Sequence, residues 1–226
     1  MLSLLSTTLL FAQLIAASPA QCNPRALNTT TGTYAVGANE TIFSVAAKVN
    51  RGACDIARAN AMADAELVYE SEELYIPAQV CNPDNSTCLL TPQNATRDCI
   101  FGGLHTYSTF KGDTIAKIAL NKFNITVESL WSLSGKMSHV SSPDDELEEG
   151  LSLKLPQCDP STCSFKPYDF SYGTYKDLAE KYGTTPGQIF ALNPSFNHSS
   201  GVPEAGAWIS LPMDCKPTAS NFTSVS

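Results

Sequence analysis

The chain is short of positive charge, of histidine and of long apolar runs, and each shortage removes a class of function. Lys and Arg number 14 against 22 Asp and Glu, leaving a formal net charge of −8 over 226 residues. An acidic chain meets the phosphates of nucleic acid and anionic lipid with repulsion, so neither nucleic acid nor a membrane surface is an expected partner. The three histidines, His105, His139 and His198, are scattered, and no Cys-x-x-Cys occurs. A zinc site is therefore not expected, and nothing calls for another metal or a cofactor. No ordered Ser, His and Asp set is present, and the acidic run at 144–149 reads as a solvated loop rather than as two carboxyls facing across a cleft. The chain is not expected to be an enzyme. The longest apolar run, residues 4–17, falls short of the about 20 residues a membrane-spanning helix needs. It lies in an uncharged segment, 1–20, that ends in Ser18-Pro19-Ala20, and is expected to be a signal peptide.

What is abundant points outside the cell. Eight cysteines, Cys22, Cys54, Cys81, Cys88, Cys99, Cys158, Cys163 and Cys215, all follow the expected cleavage point. An even count there implies four disulfides, whose pairing the sequence leaves open. Seven Asn-x-Ser/Thr sequons, at Asn28, Asn39, Asn85, Asn94, Asn124, Asn197 and Asn221, fit a glycosylated, secreted surface.

One pattern occurs three times: a strand-like stretch, a polar turn, two short helical patterns and a closing strand ending in Pro. The copies open at Thr33-Tyr34-Ala35-Val36, Thr106-Tyr107-Ser108 and Pro167-Tyr168-Asp169-Phe170. They close at Leu74-Tyr75-Ile76-Pro77, Leu153-Lys154-Leu155-Pro156 and Trp208-Ile209-Ser210-Leu211-Pro212. Helical spacing of Ile42, Val45, Ala46 and Val49, of Ile115, Ile118 and Ala119, and of Leu178, Ala179 and Tyr182 marks core faces. Second helices are expected at 55–60, 127–132 and 186–192, the last with Thr185, Pro186 and Gln188 as a capped start. The expected fold class is α+β: three tandem small βααβ modules, disulfide-stapled. Units of this size have little core of their own, and each bridge is worth about 2–5 kcal/mol. The segments are 1–20 signal, 33–80 first module, 81–104 Cys-rich linker, 105–156 second module, 157–166 Cys-containing linker, 167–213 third module and 216–226 disordered tail. Trp131 and Trp208 lie in a second helix and a closing strand, where core packing is the expected role.

The middle unit, with Lys111-Gly112-Asp113-Thr114-Ile115 after Tyr107 and a closing Leu-x-Leu-Pro, resembles a LysM domain. With three such units, eight Cys and the Cys81-to-Cys88 linker, the mature chain resembles secreted fungal LysM effectors. That resemblance implies binding of β-1,4-linked N-acetylglucosamine chains in a shallow groove between the first turn and the loop before the last strand. In the middle module the implied contacts are Gly112, Asp113, Thr114, Pro143, Asp144 and Leu147. Gly112 would let backbone approach a sugar, and Leu147 would lie under a sugar face. In the first module they are Asn39, Glu40, Thr41, Asp64, Glu66 and Val68, with Asn39-Glu40-Thr41 replacing the Gly-Asp-Thr turn. In the third they are Gly173, Thr174, Asn197, Ser199 and Val202, the turn keeping its Gly and lacking the Asp. The middle turn keeps the pattern in full and is the expected competent site. The resemblance also leaves open a composite site in which the first and third modules face each other and enclose one oligosaccharide.

The function implied is secreted, non-catalytic binding of chitin fragments that keeps them from host receptors. A coat on polymeric chitin that blocks host chitinases is the structural alternative, and a hydrolase or carbohydrate-active accessory the enzymatic one. Expected partners are chitin oligosaccharides or polymeric chitin, with a ligand-induced homodimer left open.

Overall fold

In each unit the opening strand pairs with the strand that closes it. The computed structural model describes residues 22–100, 106–134, 139–196 and 207–217. The expected signal peptide and the sites Asn197, Ser199, Val202 and Asn221 lie outside the described residues, as do His105, His198 and most of the expected tail.

In module 1, β1 (Gly32–Ala35) runs antiparallel to β2 (Glu73–Ile76), with Gly32 opposite Ile76 and Ala35 opposite Glu73. Between them lie α1 (Ile42–Val49) and α2 (Ala53–Ala59). Thr41 caps α1 by accepting from the Ser44 N–H, and the Ser44 hydroxyl accepts from the Thr41 N–H. This reciprocal box satisfies two otherwise orphaned donors. A two-stranded ribbon has little to hold it alone, so Ile42, Val45, Ile56, Ala57 and Leu74 close a small core beneath it, each 0% exposed. The Cys54–Cys88 disulfide is part of that core, and Cys22–Cys81 ties the module's two ends.

The linkers are paired with each other. β3 (Cys99–Ile100) lies antiparallel to β6 (Gln157–Cys158), and the directly opposed Cys99 and Cys158 form a disulfide. Between them, module 2 pairs β4 (Thr106–Ser108) with β5 (Ser152–Lys154). Its first helix begins as one turn, α3 (Ile115–Lys117), and continues as a π-helix, Ile118–Phe123. α4 (Val127–Ser134) follows. In module 3 the ribbon is longer: β7 (Thr162–Phe170) and β8 (Ala207–Lys216) run past the disulfide Cys163–Cys215, into residues expected to be linker. α5 (Tyr175–Tyr182) and α6 (Pro186–Leu192) carry the capping boxes of Thr174 with Asp177 and Thr185 with Gln188.

The sequence pattern reads as three separate cores, but the described residues form two. Modules 2 and 3 bury their apolar faces against each other in one cluster, which also takes in Ala61 and Ala63 of module 1 and Leu90 of the linker. Phe190 of α6 is its centre, with the rings of Tyr175, Phe110 and Tyr107 at 5.0, 5.5 and 6.1 Å. Small units gain apolar burial this way that none supplies alone. Trp208 corrects the sequence reading: it stands on the outer face of β8 at 74% exposure, whereas Trp131 is partly buried against the shared core. Alternation along the strand decides this, because Ile209 and Leu211 take the inward face.

Candidate glycan-binding site

The first turn of module 2 hangs on one buried carboxylate. Asp113 Oδ2 accepts from the Phe110 N–H at 2.9 Å and the Tyr107 hydroxyl at 2.6 Å, while Oδ1 accepts from Lys122 Nζ at 2.8 Å. Lys122 also donates to the Tyr107 oxygen at 2.7 Å and sits 4.9 Å from the centre of the Phe190 ring. All three members are at most 5% exposed, so every polar end is paired as burial requires. Burial, then the Asp113 charge, pushes the Tyr107 hydroxyl pKa well up, and it stays protonated as a donor. The helix cap is a separate task, performed by Thr114, which accepts from the Lys117 N–H. Between these fixtures Gly112 takes φ +79°, with no heavy atom within 4 Å of where a Cβ would lie. A side chain would strain the backbone there and cover the turn.

The second loop is zipped to this turn. Leu147 N–H donates to Asp113 O at 2.8 Å, Ala116 N–H to Pro143 O at 2.9 Å, and Gly112 N–H to Glu146 Oε1 at 3.0 Å. The structure therefore brings Gly112, Asp113, Thr114, Pro143, Asp144 and Leu147 together, but not all as surface. Asp144 is exposed, and Gly112, Thr114 and Pro143 are half-buried. Leu147, expected beneath a sugar, is 4% exposed and turned into the shared core. Asp113 and Leu147 hold the groove from below, so neither offers an open side chain to a ligand.

In module 1 Glu40 takes the place of Asp113. It accepts from the Gly37 N–H at 2.6 Å, from the Tyr34 hydroxyl at 3.1 Å and from Lys48 Nζ. The Lys48 bond, followed by the Gly37 N–H, holds its carboxyl below the usual range. Asn39 and Thr41 are exposed, and Asn39 has φ +59°, a conformation asparagine tolerates. Val68 is turned inward like Leu147. Asp64 and Glu66 reach the middle module, with Asp64 Oδ2 3.9 Å from Lys122 Nζ.

The turn of module 3 is covered. Gly173 N–H donates to Arg58 O at 2.9 Å and Tyr175 N–H to Ala63 O at 3.3 Å, so module 1 occupies both amides. Gly173 and Thr174 are buried beneath it. Arg58 fastens the contact with a two-point pair to Asp177, at 3.0 and 2.8 Å, and a third bond to Asp84 of the linker at 2.7 Å. Burial raises the Asp177 pKa, but the Arg58 and Thr174 bonds outweigh it and leave the carboxyl below its ordinary range. The first and third modules thus meet directly at this turn.

Sequence reasoning overlooked Tyr107, Lys122 and Arg58. The first two had a readable signal: Tyr34, Glu40 and Lys48 recur in spacing as Tyr107, Asp113 and Lys122, with one residue added. Of the sequons, Asn28, Asn39, Asn85 and Asn94 are exposed and Asn124 is half-buried. Asn85 already serves the fold, its Oδ1 accepting from the Ala53 N–H at the start of α2. Among the described residues no group of three or more His, Cys, Asp and Glu is placed to hold a metal ion.

The paired turn and loop of module 2 lie on a βααβ scaffold, and the LysM domain family matches residues 110–156. The chain is similar along most of its length to the secreted LysM effector LysM13 of Penicillium expansum, at 51% identity over 203 residues, 89% of this chain and 87% of the relative. It is 36% identical over 185 residues to the secreted LysM effector ECP6 of Passalora fulva, covering 81% of this chain and 78% of that one. A third relative, the secreted LysM effector ELP2 of Colletotrichum higginsianum, is 37% identical over 95 residues, 42% of this chain and 52% of the relative. The protein belongs to the family of secreted fungal LysM effectors, and is a secreted, non-catalytic binding protein.

Proposed function

We propose that the protein binds β-1,4-linked N-acetylglucosamine oligosaccharides outside the producing cell and withholds them from host receptors, damping the response to chitin. The observation that carries this reading is the middle module. It contains the LysM match at 110–156, and its turn leaves the space above the Gly112 Cα clear, with no heavy atom within 4 Å of a Cβ position, beside the exposed Lys111 and Asp144. A shallow groove with few polar groups gives modest affinity, and engagement of one chain by more than one module raises avidity by about 10²–10⁴-fold. Gly112, Thr114, Pro143 and Asp144 are the proposed contacts in module 2, and Asn39 and Thr41 those in module 1. An oligomer longer than one groove also bridges two copies, giving a ligand-induced homodimer that sedimentation with and without chitohexaose would reveal.

Calorimetric titration of the deglycosylated mature protein with chitohexaose, and with cellohexaose as the control lacking N-acetyl groups, tests the reading. Binding of chitohexaose alone is expected; equal binding of both sugars, or of neither, would overturn it. One observation favours a coat on polymeric chitin as a second role. Phe165 and Trp208 are 58% and 74% exposed, and the pairing of Phe165 with Pro212 and Asp169 with Trp208 puts both on one face of the β7–β8 ribbon. Loss of retention on insoluble chitin by Trp208→Ala, with soluble oligomer binding intact, would establish that role.

A further inference from the structure

Two loops that belong to separate grooves by sequence meet in a single cleft. Asp64, Glu66 and Leu67 of module 1 face Phe110, Gly112 and Lys117 of module 2 across an open cavity of about 240 Å³. The buried Asp113 and Lys122 also line it. Three carboxylates, Asp64, Glu66 and Asp113, are set against three ammonium groups, Lys111, Lys117 and Lys122, so the lining has no net charge. The walls sense one another: burial first and the Asp64 charge second raise the Glu66 pKa, while Lys117 of the other module opposes them.

A lining of balanced charge, rich in donors and acceptors and with apolar ground at Phe110 and Leu67, suits a neutral ligand that both gives and accepts hydrogen bonds and carries an apolar face. An acetamido sugar has that chemistry, with hydroxyls, an amide N–H and C=O, and a methyl group. The cavity also opens onto Gly112, where the proposed groove of module 2 begins. The two modules are already joined beside it by the Tyr69 hydroxyl, which donates to Glu149 Oε1 at 2.5 Å. Closing around a ligand therefore needs little further ordering, which otherwise costs affinity.

We propose that this cleft between modules 1 and 2 holds one acetamido sugar of a chitin chain whose neighbouring sugars lie along the first turn of module 2. The inference rests on the chitin-binding reading and adds to it that module 1 works on the same chain as module 2. Glu66 is the residue to change, because it lies on an exposed loop and only its backbone N–H is bonded, to Asp64. Titrations of the full mature chain with chitotriose and chitohexaose would compare wild type, Glu66→Ala and Glu66→Trp. Wild type is expected to bind the hexamer more tightly than the trimer. Glu66→Ala should weaken the hexamer about tenfold, and Glu66→Trp, which fills the cleft, should bring it to the level of the trimer. Lys117→Ala, from the opposite wall, should weaken the hexamer in the same direction. Hexamer binding as tight as wild type in all three variants would overturn the cleft and leave the chitin-binding reading standing. A wild type that binds neither oligomer would overturn that reading, and the cleft with it.

Discussion

Modules 1 and 2 contain the same device in two settings. Tyr34, Glu40 and Lys48 join a strand, a turn and a helix as Tyr107, Asp113 and Lys122 do, yet the Lys48 side chain is 58% exposed and that of Lys122 only 6%. The difference comes from neighbours. Over Lys122 lie Phe190 of module 3 and, at 3.9 Å, Asp64 of module 1. One helix is also longer: from cap to left-handed residue there are nine steps from Thr41 to Asn50 and from Thr174 to Gly183, but ten from Thr114 to Asn124. The extra residue is taken up by the π-helix Ile118–Phe123, the usual way for an α-helix to hold one residue too many. A solvated clip on one module is thus a buried keystone among three.

The comparison fails most visibly if Lys122 is dispensable. Lys122→Met leaves Asp113 buried without its cation and should cost about 3–5 kcal/mol in urea unfolding, whereas Lys48→Met should leave the midpoint unchanged. Gly187→Ala probes the fused core directly. A Cβ there would stand 2.6 Å from the Phe123 ring of the π-helix, and the strain should cost about 2 kcal/mol by the same measurement.

Arg58→Ala should remove about 1–2 kcal/mol and speed hydrogen exchange at Gly173, whose amide bonds to Arg58 O. The effect depends on acid. Asp84 and Asp177 are both held below their ordinary value of 3.8, so their contribution is complete above that pH and is lost as pH falls through their lowered values. The gap between wild type and Arg58→Ala should therefore be constant near neutrality and shrink below about pH 4. The smallest effect on stability is a lost cap: Thr114→Ala removes the bond to the Lys117 N–H and should cost about 1 kcal/mol, measurable as a lower unfolding midpoint.

Local features were readable in advance because they are written in neighbouring residues. The strand that opens each unit, the stripes of Ile42, Val45 and Ala46, and the Thr185–Gln188 box need only the chain's own period and its turn chemistry. The turn at Gly112 was equally legible. Leu147, Gly173 and Thr174 were read as surface, and each is buried by something distant in sequence. Trp208 errs the other way, since its large apolar ring says core while its place in the alternation of β8 says solvent.

By itself the sequence determined that there are three βααβ modules, which helical faces turn inward, and that eight cysteines staple them. These depend on propensity, capping and spacing over a few residues. Only the tertiary structure decided which cysteines pair, that modules 2 and 3 share one core, that module 1 covers the turn of module 3, and that Asp64 and Glu66 meet Gly112 across a cleft. Those outcomes depend on which apolar faces and charges find one another across long stretches of chain, and no local pattern encodes that choice.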